Sequence, residues 1–178
     1  MRIPYRILSA LLPFLAFLAL LGLPAKVQAQ IHRGDAFFGY SRLGADAFYP
    51  GARSLNGWDA ALHIKLKPMA GIEADLAHYG MGANAAIPHT TTVLFGPRIG
   101  VNLGLATLFV HGLIGGEHSA NNAGVSGGAM AWAFGGGADL PLTPILAWRI
   151  AADYIAAPTQ SPDHATHGRF TTGLVFRF

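Results

Sequence analysis

The sequence predicts an all-β fold: an eight-stranded, antiparallel, up-and-down transmembrane β-barrel. Three observations lead there. Six segments alternate apolar and polar residues with a period of two, and two more have the length and position of strands. The connectors between them alternate long and short, as in barrels with long loops on one side of a membrane and tight turns on the other. The parity that carries the charges is crowded with glycine and alanine, while the other carries the large apolar side chains, the inverse of a soluble barrel.

The start of the chain fits export. Arg2 and Arg6 precede the apolar stretch ILSALLPFLAFLALLGL (7–23), and VQA (27–29) places small residues at −3 and −1. This is the layout of a secretory signal peptide cleaved after Ala29, leaving residues 30–178 as the barrel domain. An uncleaved anchor is the alternative, because an apolar stretch of this length just suffices to cross a bilayer. Losing residues 1–29 removes Arg2, Arg6 and Lys26, which leaves nine Lys and Arg against nine Asp and Glu. The basic balance thus belongs to the leader, and no nucleic-acid partner is expected. With no cysteine, the chain has no disulfide, no thiolate metal site and no lipidated cysteine. The rest of the chain suits one domain. After residue 30, no run of 18 apolar residues offers a membrane helix.

The segments follow in order. DAFFGYSRL (35–43) has strand length but no readable face, since Phe37 and Phe38 are adjacent. In 56–66, Trp58, Ala60, Leu62, Ile64 and Leu66 oppose Asp59, Ala61, His63 and Lys65. In 71–80, Ile72, Ala74 and Leu76 oppose Glu73, Asp75, Ala77 and Tyr79. In 92–102, Val93, Phe95, Pro97, Ile99 and Val101 oppose Thr92, Gly96, Arg98, Gly100 and Asn102. ATLFVHGLIGG (106–116) is a strand whose faces are again undecided. In 128–140, Met130, Trp132, Phe134 and Leu140 oppose Ala131, Ala133, Gly135, Gly137 and Asp139. In 145–156, Leu146, Trp148, Ile150 and Tyr154 oppose Arg149, Ala151 and Asp153, and 168–178 repeats the pattern. Each is close to the length that a tilted transmembrane strand needs. The long connectors are 44–55, 81–90, 117–127 and 157–167; the short ones are 67–70, 103–105 and 141–144. Pro97 sits mid-strand, where its missing N–H predicts a local bulge.

Parity assigns a polar lumen network of Asp59, His63, Lys65, Glu73, Asp75, Arg98, His111, Asp139, Arg149, Asp153, Arg169 and Arg177. Isolated charges there are costly, so these residues are expected to pair across the barrel and fill it. A gated ion path is the alternative use of the same charges. The opposite parity puts Trp58, Trp132, Trp148, Tyr154, Phe176 and Phe178 near strand ends, where an interfacial aromatic girdle belongs. Closing the barrel pairs the last strand with the first, so no edge faces lipid.

The stretches DAFFGYSRL, LNGWDAALHIKL, LFGPRIGVNL, LFVHGLIGGEHS, MAWAFGGGADLPL and FTTGLVFRF together resemble the small opacity-protein and OmpA-type outer-membrane barrel family, over essentially the whole chain after residue 29. The resemblance implies the cell outer membrane as location and outer-membrane lipid as surroundings. It implies that Phe178, closing an alternating strand, serves as the assembly signal read by the barrel-assembly machinery. It also implies a non-enzymatic role in envelope integrity and surface contact through four extracellular loops, with no cofactor. No counterpart of the OmpA peptidoglycan-binding domain follows Phe178, so cell-wall tethering is not expected.

Three stretches invite a chemical reading instead. GEHSANNAG (116–124) loosely resembles the His-x-Ser-Asn stretch of lipid A deacylases, but His118 and Ser119 are adjacent and would face opposite ways on a strand, so it reads better as a polar loop. His118, His164 and His167 lack metal-motif spacing, so no metal is expected. GGGAD (135–139) lacks the lysine and following helix of a phosphate loop. Tyr49, Asn84, Asn121 and Asn122 lie in the long connectors, where recognition of an extracellular ligand would sit, and nothing in them names that ligand.

Overall fold

The computed structural model describes residues 33–44, 54–81, 89–120, 126–157 and 166–178. The signal peptide assigned to 1–29 lies outside them. Eight strands form among the described residues: β1 Gly34–Leu43, β2 Leu55–Lys65, β3 Ala70–Met81, β4 His89–Asn102, β5 Thr107–Ala120, β6 Ser126–Pro141, β7 Leu146–Ala156 and β8 Thr166–Arg177. Each pairs antiparallel with its sequence neighbours, and β8 pairs with β1 to close the barrel.

The tight turns cover 66–69, 103–106 and 142–145. In the second, Leu103 N–H donates to the Ala106 carbonyl at 2.8 Å. Gly104 there has φ of 86°, and its N–H donates to Asn102 Oδ1 at 2.8 Å. A side chain at that φ is strained, so Gly104→Ala is expected to lower stability by about 1 kcal/mol, read from the urea midpoint of the folded barrel.

β4, β5 and β6 run further toward the long-loop end than the alternation suggested, to His89, Ala120 and Ser126. Residues 117–120, read from the sequence as part of a long connector, are therefore strand. Polar residues occupy both faces there, as in HTTT (89–92) and EHS (117–119), so the apolar rhythm fades. The ladder nevertheless continues through Thr90↔Ser119 and Ser119↔Gly127.

The bulge expected at Pro97 is not present. The β4–β5 register is the same at Phe95↔Ile114 and Arg98↔His111, and only the rungs between them are missing. Those are the rungs that need the proline's absent amide hydrogen, while the β3 side keeps Ile72↔Pro97. The strand thus loses a hydrogen bond without losing register. The irregularity among the described ladders falls at Asn56/Gly57, between β2 and β3.

Every strand presents large apolar residues outward. Phe38 is 64% exposed, Phe134 63%, Val93 58% and Ile114 52%. An apolar belt all round a barrel far exceeds what a water-soluble surface tolerates. Of the residues assigned to the girdle, Trp148, Phe176 and Phe178 face outward near the turn end. Trp132 and Tyr154 face outward near the long-loop end with ring centroids 5.8 Å apart, and Trp58 is half-buried there.

Candidate functional site

The inward face forms three layers along the barrel axis. At the turn end, a cavity of about 130 Å³ is lined by Lys65, Asn102, Thr107 and Arg177 together with the buried Asp35, His63, Arg98 and Asp139. A charged layer crosses the middle. Toward the long loops, Leu43, Tyr79, Leu94, Leu113 and Ile155 pack with Ala77, Ala131 and Ala133 into an apolar plug. The Tyr79 hydroxyl meets Ser41 Oγ at 3.1 Å inside it.

Three arginines organise the charged layer. Arg98 donates to Asp35 at 3.2 Å, Glu73 at 2.9 Å and Asp139 at 3.1 Å. Arg149 grips Asp139 through Nε at 2.7 Å and Nη2 at 2.9 Å, and reaches Asp35 at 3.0 Å. Arg169 holds Asp75 with both terminal nitrogens, at 2.7 and 3.1 Å, and donates from Nε to Asp153 at 2.7 Å. Planar, bidentate pairing of this kind is what a guanidinium does and an ammonium cannot.

His111 joins the halves, with Nδ1 2.8 Å from Glu73 and Nε2 2.7 Å from Asp153. The ring thus bridges two carboxyl groups, one through each nitrogen. His63 Nδ1 lies 2.9 Å from Asp35. Phe109 lies beneath Arg98, with the guanidinium carbon 3.8 Å from the ring centroid, and Arg149 is 4.8 Å from the same ring. Asp59 is the loosest member: its Oδ2 is 3.7 Å from Arg169, and Oδ1 has no hydrogen-bond partner.

Every strand contributes to this layer. Asp35 comes from β1, Asp59 and His63 from β2, Glu73 and Asp75 from β3, Arg98 from β4, His111 from β5, Asp139 from β6, Arg149 and Asp153 from β7, and Arg169 from β8. A slip by one residue at any ladder would turn a charge toward the outer face. The layer therefore couples register to charge neutralisation around the whole barrel.

Of the residues that parity sent to the lumen, Lys65 and Arg177 do not enter the charged layer. They share its face but stand at the turn-end mouth, Lys65 exposed and Arg177 half-buried, beyond the last packed ring of side chains. The sequence reading missed Asp35, which ties both Arg98 and Arg149 to β1. The signal was present: Asp35, Gly39 and Ser41 share a parity, and antiparallel pairing sets Asp35 opposite His63.

His118 and Ser119 stand on opposite faces of β5. His118 is exposed on the outer face, while Ser119 turns inward, 3.0 Å from Thr90 Oγ1 and 3.5 Å from Glu117. They do not form a nucleophile–base couple. Tyr49, Asn84, Asn121, Asn122 and His164 lie outside the described residues, and His167 falls in β8.

No protein-family model matches the chain, and no curated protein matches it. Solved structures do. Neisserial surface protein A (NspA) superposes with a TM-score of 0.63 at 9% identity, over 82% of this chain and 96% of that one. Ail, the attachment invasion locus protein of Yersinia pestis, gives 0.56 at 19% identity, over 82% and 99%. The N-terminal β-barrel domain of Pseudomonas aeruginosa OprF gives 0.56 at 10% identity, over 83% and 98%. In fold, the chain is a small eight-stranded barrel of the kind these outer-membrane proteins share.

Proposed function

We propose that this is a non-enzymatic barrel of the cell outer membrane, which lends rigidity to the envelope and makes surface contacts through its long loops. The observation that carries the reading is the inversion of the wall: an apolar belt outside, and buried ion pairs from all eight strands inside. Such a wall suits lipid and leaves no free edge in it. Outer-membrane lipid is then the main partner of the belt, and the closing strand β8 is what the assembly machinery engages. Two structural neighbours support a surface role by their names, an attachment invasion locus protein and a surface protein. Residues 1–29 serve as the export signal, so the mature protein begins at Gln30.

The test is fractionation of expressing cells, followed by gel electrophoresis of the outer-membrane fraction with and without boiling. The expected result is a band that shifts on boiling and an N-terminal sequence starting at Gln30. Soluble periplasmic protein with no shift would reverse the assignment of faces.

A narrow pore is the second reading, and the turn-end cavity favours it. Yet Tyr79, Leu94, Leu113 and Ile155 fill the other half of the lumen. The wild-type barrel in a planar bilayer is therefore expected to show no unitary current steps, and regular steps would make the pore the better reading.

A further inference from the structure

The outer face at the long-loop end is not uniformly apolar. One row of register partners crosses five strands there: Tyr40, Trp58, His78, Thr91 and His118. Thr91 is its centre. His78 lies across from it on β3, His118 across from it on β5, and His89 two residues along its own strand and so on the same face. Each histidine is thus roughly 5–8 Å from Thr91, and His78 and His118, two strand spacings apart, are separated by roughly 10 Å, a span that one lipid headgroup can cover.

The cluster is built. Thr91 Oγ1 and His78 Nδ1 are 2.8 Å apart, which fixes the His78 ring. That ring stacks on His89, with centroids 6.1 Å apart and planes 12° from parallel, and packs at 6.2 Å against Trp58. Gly80 makes room for this, because a Cβ there would run into His89 Nδ1. Among the described residues no hydrogen bond engages His89, His118 or the Nε2 of His78. The three rings are too widely spread to hold one metal ion. On the far side of the barrel, the large exposed side chains at the same end are Met130, Trp132, Tyr154 and Phe170.

Directly below the cluster the outer face is Leu76, Val93 and Ile114. Hydrocarbon cannot satisfy imidazole N–H groups, whereas oxygen-rich headgroups can. A group of N–H donors at that boundary matches an anion that presents several acceptor oxygens, and a phosphate monoester does so most fully. We propose that His78, His89 and His118 bind the phosphate-monoester headgroup of a lipid whose acyl chains lie on Leu76, Val93 and Ile114. The proposal rests on the membrane reading above.

The experiment places the barrel in nanodiscs of phosphatidylcholine, with and without phosphatidic acid, and follows the imidazole NMR signals and the lipid retained in native mass spectrometry. Incorporation with a boiling shift comes first; if that fails, both readings fall. The expected result is that the His78, His89 and His118 signals move with phosphatidic acid and not with phosphatidylcholine alone. A variant with His78→Gln, His89→Gln and His118→Gln should keep its boiling shift and retain about fivefold less phosphatidic acid, as charge-assisted bonds are lost. Inorganic phosphate at matched concentration should leave the signals in place. Equal signals in both discs, equal retention by the variant, or an equal response to inorganic phosphate would each overturn the lipid site and leave the barrel standing.

Discussion

Replacing Arg169 with methionine is expected to destabilise the folded barrel by about 3–5 kcal/mol, the cost of leaving buried charges without their partner. Arg169 is 2% exposed and grips Asp75 and Asp153, with Asp59 close by. Glu73 stands behind these acids and shares His111 with Asp153. Methionine fills much of the same space, so the loss is one of charge rather than volume. The measurement is a urea titration in lipid vesicles, followed by tryptophan fluorescence. Adding Asp75→Asn to Arg169→Met removes one stranded carboxylate and should recover part of the loss. An Arg169→Met barrel as stable as the wild type would mean that the charged layer does not hold β8 to β3 and β7. Removing Arg98 alone should cost less, because Arg149 also reaches its partners Asp35 and Asp139.

Alternation was readable wherever one side of the wall is apolar and the other polar or small, as in Trp58–Leu66 and Val93–Val101. It failed at 35–43 and 106–116 for a physical reason: both sides of the wall are apolar there. Phe37, Phe109 and Leu113 fill the lumen while Phe38, Leu108 and Ile114 face outward. A barrel whose lumen is filled partly with apolar side chains hides its own inside–outside code wherever those side chains sit. The strand ends are hard to read for the opposite reason, since polar residues occupy both faces of the extensions at His89–Thr92 and Glu117–Ala120. The members of the charged layer could be enumerated, but not their partners. Arg169 meets Asp75 across the lumen, far apart in sequence, and that meeting depends on the stagger of all eight strands.

The seam where the barrel closes is the other place where one atom should matter greatly. β1 and β8 are joined by nine register pairs, the shortest of the ladders described. Gly39 and Gly173 face each other near its middle. A Cβ on Gly173 would run into Gly39 Cα and the Phe38 carbonyl. A Cβ on Gly39 would meet the Thr172 carbonyl, with Phe37 Cζ at 2.7 Å. Backbone cannot yield there as a flexible side chain does, so valine at either position must pry the strands apart. Overpacking alone costs about 1–3 kcal/mol. Parting the seam also leaves amide and carbonyl groups of two strands unpaired in hydrocarbon, at several kcal/mol for each group. Gly173→Val is therefore expected to abolish closure, so that unboiled protein runs at the boiled position on a gel. Gly112→Ala is the control: it lies on the outer side of β5 with nothing within 4 Å of the added Cβ, and it should keep the shift. If Gly173→Val closes as readily as Gly112→Ala, then β1 and β8 do not meet in this register. Asp35 would then lose its place beside Arg98 and Arg149, because the pairing Asp35↔Arg177 that positions it belongs to the same ladder.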